Sequence, residues 1–312
     1  LGKAIYEYNG KDGLVIGLFG KWGTGKTSVI NMAANEINKL AEKDDNKPLI
    51  MRFAPWNYSD KDNLISLFFQ SLKNKLNVQD NEQLKNKVGK ALSDYSGVVG
   101  SGFGSILKTL AQAIGTNLKQ VDDLDTTREN LEQELIKADK KIIIVIDDID
   151  RLTNSQIKDI FQLVKQVADF PNVIYVLVMD RDVVRSVLRE VHNIDGNEYL
   201  EKIIQVPFEL PELRKSKLHI ILFTKLDQII NDLSNEVVLD ENYWSRVFRN
   251  CISPYIHTLR DVNRLINSFQ FRYGMLHQET SFEDMLVIAT LEALEPELYK
   301  WISNNKDAVC GG

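Results

Sequence analysis

The chain has 312 residues, of which 26% are charged and 44% hydrophobic, and its formal net charge is −6. This length accommodates one large α/β domain with a further helical part, and the composition is that of a globular protein. Proteins that grip a nucleic-acid backbone usually carry a basic surplus, so the charge argues against a nucleic-acid partner and against a DNA motor.

The two cysteines, Cys251 and Cys310, do not have the spacing of metal ligands. Sparse, unpaired cysteine is typical of a reducing cytoplasm, where we expect this protein. No run of about 18 apolar residues predicts a membrane span. The sequence does not begin with Met, and we expect it to be part of a longer protein.

Short apolar runs, separated by segments of helical period, predict buried parallel strands. These runs are Leu14–Phe19, Leu49–Ala54, Ile142–Ile146, Val173–Met179 and, more weakly, Ile203–Phe208. Alternation of strands and helices predicts an α/β fold with a doubly wound parallel sheet. We expect residues 1–211 to form this core. Residues 212–312, with leucines at steps of three and four, predict a helical subdomain.

An insertion is expected at residues 77–125, between the second and third strands. Four of its glycines are too dense for a stable helix interior: Gly97, Gly100, Gly102 and Gly104. Thr126 and Glu129 form a capping-box pattern that predicts the start of the next helix. One interpretation is a partly flexible insertion that ends in a short amphipathic helix. The other is that residues 95–118 contact a membrane surface or a partner without spanning a bilayer.

A glycine-rich loop follows the first strand and precedes a helix. It matches the phosphate-binding pattern G-x-x-x-x-G-K-[ST] in full, and the nucleotide-binding residues that it predicts are Gly20, Lys21, Trp22, Gly23, Thr24, Gly25, Lys26, Thr27 and Ser28. The glycines allow backbone N–H groups and the positive end of the helix to face a phosphate. Lys26 should reach the β- and γ-phosphates of a nucleotide, and Thr27 should offer its hydroxyl to Mg²⁺. The alternative is a degenerate loop that no longer binds nucleotide.

Acidic residues follow the third strand, in the stretch KKIIIVIDDIDRL. We expect Asp147 to support the metal ion and Asp148 to hold the attacking water, an arrangement typical of P-loop proteins that hydrolyse nucleotide. A helix N-cap or a salt bridge is the alternative for Asp148. Asp150 and Arg151 are ambiguous, because they also suit a mutual ion pair or a cap of the next helix.

Polar residues elsewhere are further candidates for contact with the γ-phosphate. Asp180 follows the fourth strand, where it either senses the γ-phosphate or caps the next helix. Arg260, in a predicted helix, supplies a cation from the helical subdomain and couples hydrolysis to its motion, unless this segment only forms a salt bridge between Arg264 and Asp261. Two arginines are candidates for a finger that reaches a neighbouring subunit: Arg181 and Arg185.

Six segments, in this order, resemble the KAP-type P-loop NTPases over residues 14–270. They are IGLFGKWGTGKTSVI, MRFAPWNYSDKDNLISLFFQSL, IIIVIDDIDRL, VIYVLVMDRDVV, YLEKIIQVPFELP and TLRDVNRLIN. The Walker motifs alone are generic. Trp56, the Asp-Asp-x-Asp-Arg string and the Leu-Glu-Lys-Ile-Ile-Gln segment make the resemblance specific.

The resemblance implies a five-stranded sheet of order 5-1-4-3-2 and a signalling ATPase that uses ATP and Mg²⁺. It assigns metal binding to Asp147 and water activation to Asp148. Family members often carry transmembrane helices between the Walker motifs, but the insertion here is too interrupted to span a bilayer. Several bacterial members act in phage exclusion, and the expected partners are further copies of the chain or an effector protein.

Two functions remain open at the sequence level. The first is a slow ATP-hydrolysing switch or assembly ATPase, and the second is a non-hydrolysing scaffold that recruits protein or membrane partners. A GTPase is disfavoured because the NKxD-like residues Thr224–Asp227 have helical spacing. A small-molecule kinase is disfavoured by the paired acids and by the lack of a recognisable lid.

Overall fold

The computed structural model describes residues 1–58, 64–77, 83–97, 99, 118–167, 169–192, 196–232, 240–276 and 278–307. The chain forms two compact units. The first unit comprises Leu1–Gly20 and Lys26–Leu210, and the second comprises Lys21–Gly25 and Pro211–Gly312. The middle of the glycine-rich loop is therefore grouped with the C-terminal part of the chain.

A parallel five-stranded sheet with the order β2-β3-β4-β1-β5 forms the centre of the first unit. Its strands are β1 (Leu14–Phe19), β2 (Leu49–Phe53), β3 (Ile142–Ile146), β4 (Val173–Met179) and β5 (Val206–Glu209). The order is the predicted 5-1-4-3-2 read from the opposite edge, so the predicted fold class is confirmed. Every residue of β3 and β4 is buried, because these central strands are covered on both faces.

The last strand is the one that the sequence located least well. Ile203 and Ile204 are buried, but they lie before β5, and their N–H groups donate to the carbonyl of Leu200 at 3.1 and 2.8 Å. Their apolar character reflects packing of a helix end and not a place in the sheet. Pro207 is tolerated in β5 because β5 is an edge strand.

Helices cover both faces of the sheet. In the described part of the first unit they are α1 (Gly2–Glu7), α2 (Lys26–Leu40), α3 (Leu64–Asn77), α4 (83–97, whose first turns are π-helical), α5 (Leu118–Ala138), α6 (Asn154–Val167), α7 (Arg181–His192) and α8 (Gly196–Glu201). One apolar cluster joins α1 and α2 to the sheet through Ile5, Ile30 and Leu18. A larger apolar cluster packs the six helices from α3 through α8 against the opposite face of the sheet, with residues such as Phe68 and Phe161. The sheet is thus doubly wound, as predicted.

The insertion is partly described. Within it, α4 buries Leu84, Val88 and Tyr95 in the core, whereas Gly100, Gly102, Gly104 and most of 95–118 lie outside the described residues. The predicted helix start at Thr126 is wrong, because α5 begins at Leu118 and continues through it. Arg128 pairs with Glu132 one turn later at 2.8 Å, so this polar stretch supports a helix interior. No helix in the described ranges has the length and apolarity needed to cross a membrane.

The second unit is helical and has its own core. Its described helices are α9 (Lys215–Asp232), α10 (Glu241–Val247), α11 (Leu259–Leu276), α12 (Phe282–Leu294) and α13 (Pro296–Asn304), with π and 3₁₀ turns at Phe248–Ile252 and Ser253–Tyr255. Leu222, Val262, Phe269 and Leu286 are fully buried in one cluster. Thr224–Asp227 lies inside α9, as its helical spacing predicted.

Candidate nucleotide site

The glycine-rich loop leaves the sheet at the carboxyl end of β1. The N–H of Gly20 donates to the carbonyl of Met179, the last residue of β4, at 3.2 Å. Gly23 and Gly25 have φ values of +86° and +93°, a left-handed region that strongly favours glycine. The chain then enters α2 at Lys26. This strand–loop–helix arrangement presents the amino end of α2 at the edge of the sheet where parallel α/β folds bind ligands.

Lys26 is buried, at 7% exposed, and two groups hold its ammonium group. Its Nζ donates to the carbonyl of Gly20 at 2.7 Å and lies 3.6 Å from Oδ2 of Asp150. A buried ammonium group is costly unless it is paired and hydrogen-bonded. These partners hold the lysine at the inner end of the loop, beside the start of α2.

Thr27 and Asp147, the two residues that the sequence assigns to the metal ion, lie close together in the structure. The Thr27 hydroxyl donates to Oδ2 of Asp147 at 3.3 Å, and the N–H of Asp147 donates to the carbonyl of Phe53 at 3.0 Å. Burial raises the pKa of the Asp147 carboxyl, and the nearby charge of Asp148 raises this pKa further. A hydroxyl and a carboxylate are oxygen ligands of the kind that Mg²⁺ prefers, and a divalent cation would favour the ionised carboxylate. These residues therefore fit a magnesium ion.

Asp148 forms the salt bridge that the sequence left open as an alternative. Its Oδ1 lies 2.9 Å from Nε of Arg151, while its N–H donates to Oδ1 of Asp147 at 2.9 Å. Its φ is +58°, and its side chain makes no capping hydrogen bond to the turn at Ile149–Arg151. The side chain is 24% exposed, so the carboxylate is oriented by Arg151 and still reaches solvent.

Asp150 is the residue whose place the sequence did not predict. The pair of Asp150 with Arg151, which the sequence left open as an alternative, does not form: Arg151 pairs with Asp148 and Asp150 pairs with Lys26. The left-handed backbone at Asp148 and the 3₁₀ turn that follows, with Ile149 fully buried, give these side chains different directions. Among the described residues, the buried Oδ1 of Asp150 has no hydrogen-bond partner. The signal that pointed to it was the unusual density of acids after β3.

Polar residues after β4 are engaged locally. Oδ1 of Asp180 accepts the N–H of Asp182 at 3.0 Å, so Asp180 caps α7, which was its alternative role. Arg181 lies 3.0 Å from Glu209, and Arg185 lies 3.2 Å from Asp182. Contact of Asp180 with the γ-phosphate, or of these arginines with a neighbouring subunit, remains a prediction.

The tip of the loop, residues 21–25, makes its contacts inside the second unit. Lys21 lies 2.7 Å from Glu212, and the guanidinium of Arg260 lies 4.2 Å from the centre of the Trp22 ring. A side chain at Gly23 would touch residues of the same unit at 3.0–3.2 Å. Arg260 thus lies beside Trp22 within the second unit.

Two other loop residues and the alternative for Arg264 complete the predicted set. The Thr24 hydroxyl donates to the carbonyl of Lys21 at 2.8 Å, and Ser28 is an exposed residue in the first turn of α2. The Arg264–Asp261 salt bridge, which was the alternative to a role for Arg260, does not occur among the ion pairs of the described residues. Asp261 instead accepts the N–H of Thr258 at 2.8 Å, and the Thr258 hydroxyl accepts the N–H of Asp261 at 3.2 Å, so the two residues cap the start of α11 reciprocally.

The comparisons with known proteins agree with this geometry. A model of the KAP family P-loop domain matches residues 1–276. The phage T7 exclusion protein of Escherichia coli (strain K12) is 28% identical over 324 residues, which covers 92% of this chain and 42% of that protein. The chain therefore spans less than half of the length of this curated relative.

Two solved structures align with most of the chain at low sequence identity. The ORC2 protein of Aeropyrum pernix, solved as ADPNP–ADP complexes, has 13% identity and a TM-score of 0.48, with 92% of this chain and 64% of that chain covered. The ORC1 protein of Aeropyrum pernix in complex with DNA has 13% identity and a TM-score of 0.49, with 93% and 61% covered. Since the family model includes both the phosphate loop and the acidic end of β3, the chain belongs to the KAP family of P-loop NTPases.

Proposed function

We propose that this chain is a Mg²⁺-dependent ATPase that acts as a slow cytoplasmic switch in signalling or assembly. The observation that carries the proposal is the group of residues at the ends of β1 and β3. Lys26 and Thr27 begin α2, the Thr27 hydroxyl lies 3.3 Å from Asp147, and Asp148 follows as an oriented carboxylate. Within one site, these residues supply a cation that binds phosphate, ligands for a metal ion and a candidate general base.

The roles of the individual residues follow from their chemistry. The backbone N–H groups of the loop and the ammonium of Lys26 would bind the β- and γ-phosphates. Thr27 and Asp147 would hold Mg²⁺, which when bound neutralises charge on the phosphate oxygens. Asp148 would accept the proton of a water molecule that attacks the γ-phosphorus, while the bond from the γ-phosphorus to the bridging oxygen of ADP breaks.

A phosphate-release assay on the purified chain tests this proposal. We expect slow, saturable release from ATP that requires Mg²⁺ and stops in EDTA. ATP should also compete with a labelled ATP analogue more strongly than GTP does. Clear preference for GTP would contradict the assignment of ATP, and binding of ATP without any release above background would contradict the assignment of an ATPase.

A non-hydrolysing, nucleotide-dependent scaffold is the second candidate. It is favoured by the contact between Arg151 and Asp148, which occupies one oxygen of the proposed base. Under this alternative the pair persists when nucleotide binds, and binding changes the affinity for a partner without turnover. Replacement of Arg151 by Ala distinguishes the two, because the ATPase model predicts that this change alters phosphate release and the scaffold model predicts no release in either protein.

A role in anti-phage defence is proposed for the whole protein. It rests on the relative that is named as a phage T7 exclusion protein and covers 92% of this chain. We expect expression of the full-length protein in bacteria to reduce plaque formation by phage T7, and Lys26→Met to restore it. Equal plaque numbers with and without the parent protein would contradict this role. The partner of the switch would be a further copy of the chain, in a homo-oligomer, or an effector protein.

A further inference from the structure

A groove runs along the β2 edge of the sheet. It has a volume of about 940 Å³ and is formed by β2, α2 and α3. The residues that matter for its chemistry are Asn35, Asn38, Lys47, Arg52, Asn74 and Lys75. We call it the β2 groove. All of its described lining residues belong to the first unit.

The backbone of β2 presents unpaired groups to this groove. Leu49 donates its N–H to Lys141 at 2.8 Å, and the carbonyl of Phe53 accepts from Asp147 at 3.0 Å, so alternate residues from Leu49 onward face β3. The N–H and carbonyl groups of Ile50 and Arg52 consequently face outward. In the described ranges, no backbone hydrogen bond from outside the sheet reaches them. Such an edge is a template for one more strand.

Amide side chains line the groove above this edge. Asn31, Asn35 and Asn38 are spaced along α2 so that they follow one face of the helix. Asn31 accepts a hydrogen bond from the guanidinium of Arg52, which places this row beside the strand. Asn74 of α3 lies on the other side of the groove. A side-chain amide both donates and accepts, so it can bind the N–H and carbonyl groups of a peptide in extended conformation.

The charge of the groove indicates which peptide would suit it. Among the described residues that line it, three side chains are cationic and none is acidic, although the net charge of the chain is −6. Lys47, Arg52 and Lys75 are all exposed. They would repel the same residues of a second copy paired edge to edge, and lysine on an edge strand commonly prevents such pairing. The same cations would attract an acidic segment.

We propose that the β2 groove binds an extended, acidic segment of a partner protein as an additional strand next to β2. The main chain of the segment would pair with Ile50 and Arg52, and its acidic side chains would contact Lys47, Arg52 and Lys75. At about 3.3 Å per residue, the five residues of β2 accommodate a segment of similar length. The proposal does not depend on ATP hydrolysis.

Fluorescence anisotropy with a labelled seven-residue peptide of alternating glutamate and valine tests the proposal. We expect saturable binding to the intact chain. N-methylation of alternate backbone amides of the peptide should weaken binding by about tenfold or more, because each lost backbone hydrogen bond contributes about 1 kcal/mol. This change leaves the protein untouched, so it cannot act through misfolding.

Charge reversal in the groove is the complementary test. The double variant Lys47→Glu and Lys75→Glu should bind the peptide about tenfold or more weakly than the parent. Higher salt should reduce this difference in affinity between the two proteins. Lys39→Glu is the matched control, since Lys39 is an exposed residue of α2 outside the groove lining. It should change the affinity by less than about twofold.

Three outcomes would overturn the proposal. The first is equal binding of the N-methylated and parent peptides, and the second is equal binding of a peptide that alternates lysine and valine. The third is failure of the acidic peptide to bind. Sedimentation experiments would then show whether the chain forms a dimer that Ile50→Pro dissociates. In that case the occupant of the groove is a second copy of the chain.

Discussion

The two lysines of the phosphate loop are held in opposite ways. Lys26 and its partner Asp150 have side chains that are 8% and 10% exposed, whereas Lys21 and its partner Glu212 are 68% and 64% exposed. A buried charge that loses its partner is strongly destabilising, but an exposed ion pair contributes little. The inner end of the loop is therefore held by a buried ion pair, whereas breaking the exposed ion pair at its tip costs little.

This difference indicates that the two ends of the loop have different roles. The inner end, at Gly20, Lys26 and Thr27, presents groups that need a fixed geometry for phosphate and metal binding. The tip, at Lys21 and Trp22, is grouped with the second unit and contacts Glu212 and Arg260. We propose that the inner end binds phosphate and the metal ion, and that the contacts of the tip change when nucleotide binds.

Replacing Lys26 should have the largest effect of the changes in the loop. Lys26→Met removes a charged hydrogen bond to phosphate, and affinity for ATP should fall by about 10- to 100-fold. Titration with a fluorescent ATP analogue measures this loss. An affinity that stays within about twofold of the parent would mean that Lys26 does not contact phosphate.

Breaking the buried ion pair from its other side tests stability. Asp150→Asn leaves Lys26 without its counter-ion, and the free energy of unfolding should fall by about 3 kcal/mol. Glu212→Gln, at the exposed pair, is the matched control and should cost about 0.5 kcal/mol or less. Urea denaturation followed by circular dichroism compares the two, and equal midpoints would remove the contrast between buried and exposed pairs.

Arg260 tests whether the tip influences hydrolysis. If Arg260 stabilises charge at the γ-phosphate, Arg260→Ala should lower turnover by about tenfold or more. Loss of the guanidinium over the Trp22 ring should also change tryptophan fluorescence. Arg264→Ala, at another exposed arginine of α11, is the control. Equal turnover in both variants would show that Arg260 has no specific role.

Replacing Lys21 should have the smallest effect of these changes on stability and on ATP affinity. Lys21→Ala removes an exposed pair, so stability should change by about 0.5 kcal/mol or less and ATP affinity by less than about twofold. The same titration and urea experiments measure both quantities. A loss as large as that of Lys26→Met would show that the tip also binds phosphate, and the proposed division of the loop would be wrong.

The sequence predicted the sheet and the Walker residues because strong local patterns encode them. Buried parallel strands such as β3 and β4 are continuous apolar runs, and their ends coincide with a change to polar residues. The loop motif fixes Lys26 and Thr27 at the start of α2. Asp147 and Thr27 were each assigned to the metal ion, and they lie close together because the carboxyl ends of parallel strands share one edge of the sheet.

Other features depend on geometry that spacing does not reveal. The pairing of Asp150 with Lys26 follows from the left-handed backbone at Asp148 and the turn after it. The capping-box pattern at Thr126 was overridden because α5 continues through it. The β2 groove was not predicted at all, since its cations come from separate segments that meet only because β2 is an edge strand.

The assignment of Asp148 is the central claim about the chemistry, and one variant tests it directly. In Asp148→Asn, phosphate release from ATP should fall by about 100-fold or more, because a general base contributes about 10²- to 10⁴-fold. Affinity for the ATP analogue, measured on the same preparation, should stay within about threefold of the parent. A variant that binds ATP and hydrolyses it at the parent rate would show that Asp148 is not the base.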